Sequence, residues 1–278
     1  MKEKRGQIGY KFVVGFFVIL WSLIAIVPFF FMVLNSFKER FEMLTKGIFT
    51  LPNTWYFENY KSVFEGNIGI YFMNSILVLC LSLAILLFVS ACTSYPLARF
   101  RFRLAKPIYS IIVACMSIPI HITLIPVFKL SKSTGIYDSI FALIGPYVAT
   151  AIPISVFILT SFMKEIPMEI EEAAQIDGCN KYQLFFQMIL PLSKSGLATL
   201  AIYNGVNMWN EFVFAYTLTQ SSTNRTLPLA VWEFQGEYSM NTPMIMAVLT
   251  LTVLPMILLF IFLQDKLVKG MTAGAVKG

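Results

Sequence analysis

Apolar residues along this chain fall in runs of about twenty, separated by shorter polar stretches. As a helix rising 1.5 Å per residue, such a run crosses the roughly 30 Å of hydrocarbon in a bilayer. The runs predict spans at about 12–34, 74–97, 108–130, 139–163, 196–218 and 243–263. They are continuous rather than alternating, which predicts helices and not the strands of a barrel. The expected fold is an all-α integral membrane protein with six transmembrane helices in one domain over 1–278, its length used up by spans and loops. The first run follows the basic residues Lys2, Lys4, Arg5 and Lys11, as a signal peptide would. Its apolar core is too long and no small-x-small cleavage site follows, so an uncleaved span is expected. Pro119 and Pro126 inside the third run predict kinks.

One polar interruption differs from the others. From Lys164 to Lys194 there are eight charges: Lys164, Lys181 and Lys194 against Glu165, Glu169, Glu171, Glu172 and Asp177. Pro167 suits the first turn of a helix, and the acids after it suit the positive end of the helix dipole. Gly178 is a stop signal, Asn180 can cap a second helix with Gln183 reaching back, and Pro191 ends or kinks that helix. Two short helices with a bend at Gly178 are predicted. Apolar residues persist between the charges, among them Ile170, Ile176, Tyr182, Phe185 and Phe186. Outside a membrane that pattern fits a docking surface for another protein, or an amphipathic surface helix.

The charge distribution sets the expected topology. Six spans put both termini on one side, and that side collects fourteen of the 21 Lys and Arg: the N-terminal four, Arg99, Arg101, Arg103 and Lys106, then Lys164, Lys181 and Lys194, and the tail's Lys266, Lys269 and Lys277. The positive-inside rule therefore predicts cytoplasmic termini and a cytoplasmic charged stretch. The same rule accounts for the net charge of +6 without nucleic acid, and for the Arg99–Lys106 loop as a topology determinant. Only 13% of residues are charged, against about 25% in soluble domains. The four cysteines, three of them inside apolar runs, form no CxxC pair, so neither a disulfide nor a metal site is expected.

Candidate chemistry inside the spans is sparse. Asn204, Asn207 and Glu211 sit three and four residues apart on one helical face, with Asn210 beside them. A costly intramembrane acid faces a cavity or a partner. The face is either the lining of an aqueous path or a site of interhelical hydrogen bonds, with Glu211 also able to reach the outer headgroups. His121 reads as a packed, hydrogen-bonded side chain or as part of a proton relay. Trp232, Phe234 and Gln235 carry chemistry that stacks on and hydrogen-bonds to sugars, or belong to an interfacial aromatic belt. No GxxxxGK[ST] loop and no nucleophile constellation is present, so neither an ATPase by that route nor a catalytic site is expected.

The charged stretch carries a recognisable spacing: Glu172-Ala173-Ala174, three residues, Gly178, nine residues, then Met188-Ile189-Leu190-Pro191. It resembles the EAA signature of ABC-importer permeases, EAA-x3-G-x9-I-x-L-P, departing only at Met188 where Ile or Val is usual. The segments PNTWYFENYKSVF, YFMNS, SYPLARFRF, GIYDS, WNEF and TAGAVKG are similar to the MalG type of carbohydrate permease, and the tail match separates it from the MalF type. The resemblance implies the type I ABC importer permease fold, with cytoplasmic coupling helices docked in a cleft of an ATPase subunit. It implies coupling roles for Glu172, Ala173, Ala174, Asp177, Gly178, Leu190 and Pro191, with the two alanines keeping the lever thin. It also implies a tail at Gly274 to Gly278 that reaches the ATPase interface, and contact of Trp232, Phe234 and Gln235 with an extracellular sugar-binding protein.

The expected function is therefore a permease subunit of an ATP-driven, binding-protein-dependent carbohydrate importer, and not an enzyme. Its implied partners are a MalF-like second permease, two ATPase subunits that bind ATP and Mg2+, the sugar-binding protein and membrane lipid, in a prokaryotic plasma membrane. The competing reading is a proton-coupled secondary carrier using His121 and Glu211, which would work alone.

Overall fold

The computed structural model describes residues 2–237 and 241–275, and every regular element among them is helical. In chain order these are α1 Lys2–Ser36, α2 Arg40–Lys46, α3 Glu58–Glu65, α4 Ile68–Arg99 and α5 Ala105–Ala114. Two 3-10 turns, Cys115–Ser117 and Ile120–Thr123, lead to α6 Leu124–Ser133. Then follow α7 Phe141–Glu165, α8 Met168–Ile176, α9 Lys181–Gln183, a π-helical turn Leu184–Ile189 and α10 Leu190–Leu192. The last elements are α11 Lys194–Trp209, α12 Val213–Leu218, α13 Leu227–Glu237 and α14 Thr242–Ala275.

Among the described residues three helices are long and apolar enough to cross a membrane: Tyr10–Ser36, Ile68–Arg99 and Phe141–Glu165. They match the first and fourth predicted spans within two residues, and the second begins six residues earlier than predicted. The third bends, as its prolines predict, and the fifth differs from the single rod expected. Ala105–Ser117 and Ile120–Ser133 meet at 94°; Lys181–Leu192 meets Lys194–Trp209 at 66°, a bend beside Pro191 and ahead of the fifth predicted span. Pro119 causes the first break: it has no N–H to donate and pushes Ile118 into an extended conformation, φ −79° and ψ 118°. The fifth run stops at Trp209 rather than about 218, because Asn210 and Glu211 end α11 and start a new helix. Counting each bent pair as one span gives five, and Thr242–Leu258 is a shorter apolar helix among the described residues.

The helices sort into two compact units, Met1–Ile68 with Ala230–Pro255, and Gly69–Leu229 with Met256–Gly278. In the first unit the segment after α1 is tightly hydrogen-bonded. Asn59 Nδ2 donates to the carbonyls of Ser36 and Lys38 at 2.8 and 2.9 Å, and the Ser36 and Tyr60 hydroxyls pair at 2.6 Å. Lys38 is fully buried and donates to the carbonyls of Gly47 and Ile48 and to the Thr50 hydroxyl. Burial lowers its pKa, with Glu42 pulling the other way. By contrast α1 exposes Phe12, Phe16, Phe17 and Trp21, surface suited to lipid or another membrane chain.

The second unit is built on α4, α7 and α11. Val78 and Leu86 of α4, Leu143 and Tyr147 of α7, Met208 of α11 and Phe214 of α12 form one apolar cluster. A second cluster, farther along the same helices, joins Ala91 and Tyr95, Leu159 and Met163, and Leu200 to the charged stretch. Gly196 lets α11 approach α7 closely, since a Cβ there would lie 2.9 Å from Phe162 Cγ.

Candidate coupling stretch and membrane cavity

The Lys164–Ser193 stretch folds into the expected two helices, and the local chemistry explains both. Ile166 and Pro167 are extended, and α8 starts at Met168 with Glu169 and Glu171 in its first turn, where the dipole favours acids. α8 stops at Gly178, whose φ of +83° is left-handed. The Gly178 N–H donates to the Gln175 carbonyl at 3.1 Å and the Cys179 N–H to that of Ala174 at 3.0 Å, the paired bonds of a Schellman ending. Asn180 then caps α9. Its Oδ1 accepts from the Tyr182 and Gln183 amides at 3.0 and 2.9 Å, and Gln183 Oε1 accepts from the Asn180 amide at 2.9 Å, the predicted capping box. The helix runs through the π turn into α10, and the Ser193 hydroxyl donates to the Ile189 carbonyl where the chain bends into α11.

One face of this hairpin is core and the other is free. Ala174, Leu184, Phe185 and Ile189 are buried against α4, α7 and α11. Glu172, Ala173, Asp177, Gly178 and Pro191 are exposed, and Leu190 is half-buried. Ile176 is 86% exposed and Tyr182 79%, two large apolar side chains held out beside the Gly178 bend. The two alanines of the signature therefore divide, Ala173 outward and Ala174 inward, since adjacent helical positions lie about 100° apart.

The stretch is tied to α4 by a buried ion pair. Arg99 Nε lies 2.6 Å from Glu171 Oε1, with side chains only 7% and 5% exposed. The N–H does not point along a hydrogen-bond line to that oxygen, so the contact is Coulombic. The guanidinium also donates to the Ile166 carbonyl and reaches Met168 Sδ at 3.7 Å. Burial raises the Glu171 carboxyl, and Arg99 pulls it back down. The sequence favours a topology role for Arg99, and its neighbours in the chain do not point to Glu171, 72 positions later.

The break before Ile120 and the one between α11 and α12 meet at a cavity of about 350 Å3. Ile120 and His121 line it from the turn after Pro119, Tyr147 and Thr150 from α7, and Tyr203, Asn204 and Asn207 from α11. Irregular backbone at membrane depth is tolerated where it lines a cavity or is packed in protein. Glu211 lines the cavity and also makes the break possible. Its Oε1 accepts from the Phe214 amide at 2.9 Å, and its Oε2 from the Ala215 amide at 3.2 Å and the Tyr147 hydroxyl at 3.0 Å. The carboxylate thus satisfies the first free amides of α12 and anchors them to α7. Asn204 is buried, with Nδ2 on Ser155 Oγ and the Leu200 carbonyl, both at 3.0 Å. Asn207 is exposed to the cavity, with its Nδ2 on the Tyr203 carbonyl. Asn210 turns back to the Val206 carbonyl at the end of α11 and is not among the lining residues. An apolar chamber of about 400 Å3 shares Ile120, Thr150 and Phe214 with the cavity.

Two motifs met in the sequence clamp the loop after α12. Asn74 Nδ2 donates to the carbonyls of Thr223 and Arg225 at 2.8 and 2.9 Å, and Ser75 Oγ accepts from the Leu227 amide. Asp138, in the left-handed region at φ 57°, accepts from the Gln220 and Ser221 amides at 2.7 and 2.8 Å and from the Ser221 hydroxyl. Burial alone would raise its carboxyl; Ser221, the Gln220 amide and Asn224 outweigh this and hold it below the usual carboxylate range. Trp232 is exposed on α13. Phe234 and Gln235 follow it in that helix, but their side chains, and Val276 to Gly278 of the tail... lie outside the described residues.

Residues 90–273 match the family described as binding-protein-dependent transport system inner membrane component. The chain belongs to this family. The matched region takes in the Arg99–Glu171 pair, the EAA stretch and the cavity. This inner-membrane component is 50% identical over 262 residues to a putative ABC transporter permease protein, ORF2, of Caldicellulosiruptor sp. strain Rt8B.4, covering 94% of this chain and 95% of that one. It is 31% identical to the arabinooligosaccharides transport system permease protein AraQ of Halalkalibacterium halodurans, with 100% of both chains covered. Its fold is that of a chain in the crystal structure of a bacterial ABC transporter involved in the import of the acidic polysaccharide alginate, with a TM-score of 0.80, 22% identity and coverage of 94% and 97%. The family and these relatives are permease components of transport systems, not enzymes. Among the described residues no cluster of His, Cys, Asp and Glu is suited to a metal ion.

Proposed function

We propose that this chain is the MalG-type membrane subunit of an ATP-driven, binding-protein-dependent carbohydrate importer. The observation that carries the reading is the EAA hairpin, in which a left-handed Gly178 and a capped second helix hold Ile176 and Tyr182 out beside Glu172 and Ala173. An apolar tip ringed by charge is what a cleft on a partner protein would take up. The partner is an ATPase subunit, present in two copies, which binds the ATP and Mg2+. Glu172, Ala173, Asp177 and Gly178 meet the cleft, while Ala174 and Leu190 seat the hairpin on the membrane helices and Pro191 starts the turn into α11. The chain acts as one permease domain with six spans and cytoplasmic termini, beside a MalF-like second permease. An extracellular sugar-binding protein delivers the substrate, with Trp232, Phe234 and Gln235 at the contact. Asn204, Asn207 and Glu211 line the path, and Asn210 and Glu211 shape the break beside it.

The relative named for arabinooligosaccharides, aligned over its full length, supports the carbohydrate class. The cavity does bring His121 and Glu211 together, as a proton-coupled carrier would need. The Glu211 carboxylate is engaged by three donors, however, and the family is binding-protein-dependent. The test is Gly178→Asp in the reconstituted importer. A non-glycine residue forced left-handed costs about 1–2 kcal/mol, and the new charge stands at the bend. ATP hydrolysis is expected to continue without sugar uptake while the chain still inserts in the membrane; normal uptake would sink the lever assignment.

A further inference from the structure

The cavity between α7 and α11 holds unused hydrogen-bonding capacity beside aromatic rings. His121, the Tyr203 hydroxyl and Asn207 Oδ1 have no hydrogen-bond partner among the described residues, and all three side chains line the cavity. Tyr147, Tyr203 and Phe214 supply ring surface. A volume of about 350 Å3 lies within the ~300–1,000 Å3 range of small-molecule sites. Apolar rings with a few convergent polar groups are the ordinary composition of a ligand pocket, and they match a sugar ring, whose C–H faces stack while its hydroxyls both donate and accept. Among the described residues Glu211 is the only Asp, Glu, Lys or Arg in the lining. A carboxylated sugar would find no cation there and would face a like charge, which costs free energy in a partly dry site.

We propose that this chain carries its own sugar subsite, which takes a disaccharide-sized stretch of a neutral oligosaccharide stacked at Tyr203 and hydrogen-bonded by His121 and Asn207. Glu211, held by Tyr147 and the amides of α12, turns away uronate chains. The subsite rests on the reading that the cavity lies on the transport path. It makes this subunit a determinant of what is imported, in addition to the binding protein.

The experiment uses the complete importer in proteoliposomes with its binding protein. The probes are labelled neutral oligosaccharides (cello-, xylo-, malto- and arabino- series) and an oligogalacturonate, with uptake and ATP hydrolysis measured in the same vesicles. The expected result for the wild type is uptake of a neutral series and exclusion of the uronate. In Y203A, sugar imported per ATP hydrolysed falls by about tenfold or more, the scale on which a pocket discriminates by a single contact. Y203F, which keeps the ring, recovers part of that loss. H121A and N207A, on separate elements, each raise the KM for uptake. If all three alanine variants import sugar with the wild-type ratio and KM, the subsite is wrong although the importer reading stands. Loss of assembly and of ATP hydrolysis in all three would mark a structural role and overturn it equally. Uptake of the uronate at the neutral rate would overturn the charge selection. If the wild type imports no sugar of any series, the importer reading itself fails.

Discussion

Breaking the Arg99–Glu171 pair is the sharpest perturbation this structure offers. Both side chains are nearly inaccessible and 2.6 Å apart, so each depends on the other for a counter-charge. Removing one member of a buried pair costs about 3–5 kcal/mol, because the remaining charge is stranded. In E171A the guanidinium keeps the Ile166 carbonyl, which places that variant near the lower end, about 3 kcal/mol. In R99A the stranded group is a carboxyl whose folded pKa is already raised by burial, and loss of Arg99 raises it further. A raised carboxyl contributes stability below its unfolded pKa and loses it as pH rises through the folded value. The R99A defect is therefore larger at pH 8 than at pH 5, whereas the E171A defect shrinks over that range, because that variant lacks the titrating carboxyl whose contribution the wild type loses as pH rises. Replacing both residues by methionine leaves no charge to strand, and R99M/E171M should recover most of the stability lost in either single variant. The assay is thermal unfolding of the assembled importer in nanodiscs at several pH values, with uptake per ATP measured alongside. The charge pair is also a tie between α8 and α4, so the double variant is expected to be stable yet poorly coupled. Simple addition of the two single-variant costs in the double variant would refute a coupled, buried pair. Full coupling in a stable R99M/E171M would refute its part in transmission.

The remaining predictions are more local. Gly196→Val drives a branched side chain into Phe162 and should cost about 1–3 kcal/mol, with F162A restoring part of it in the double variant; a neutral G196V in the same unfolding assay would show that α7 and α11 do not pack this closely. Asp138 has a lowered carboxyl, so its contribution is present above the unfolded value of about 3.9 and disappears as pH falls through the folded value. The difference in Tm between wild type and D138N should shrink on acidification, and a difference constant from pH 7 to about pH 3 would contradict the hydrogen bonds drawn to Gln220 and Ser221.

Local signals were legible where the cause is local. The Asn180 capping box, the Gly178 ending and the three long apolar helices follow from spacing and composition within a few residues of each feature. Pro119 was readable as a kink, but its size was not, since 94° depends on how the following turn packs. Asn210 and Glu211 carried a double meaning: read as polar positions on a continuing helix, they are where the helix ends, because Glu211 serves amides that did not yet exist in a one-helix reading. Partners distant in the chain gave least warning. Arg99 finds Glu171, and Asn74 finds Thr223 and Arg225, across contacts that no periodicity encodes. Tyr147 and Tyr203 looked like ordinary apolar-span residues, and only the cavity gives them a shared surface.

The π-helical turn Leu184–Ile189 changes what the nine-residue interval between Gly178 and Met188 means. A π turn absorbs about one residue more than an α turn over the same stretch of axis. Distance along the chain is thus decoupled from distance along the helix at this point, like a splice with slack in it. A chain one residue shorter here could close the turn to ordinary α geometry and still present Tyr182 and Pro191 in the same directions. Removal of one residue inside this turn is therefore compatible with the same presented surface.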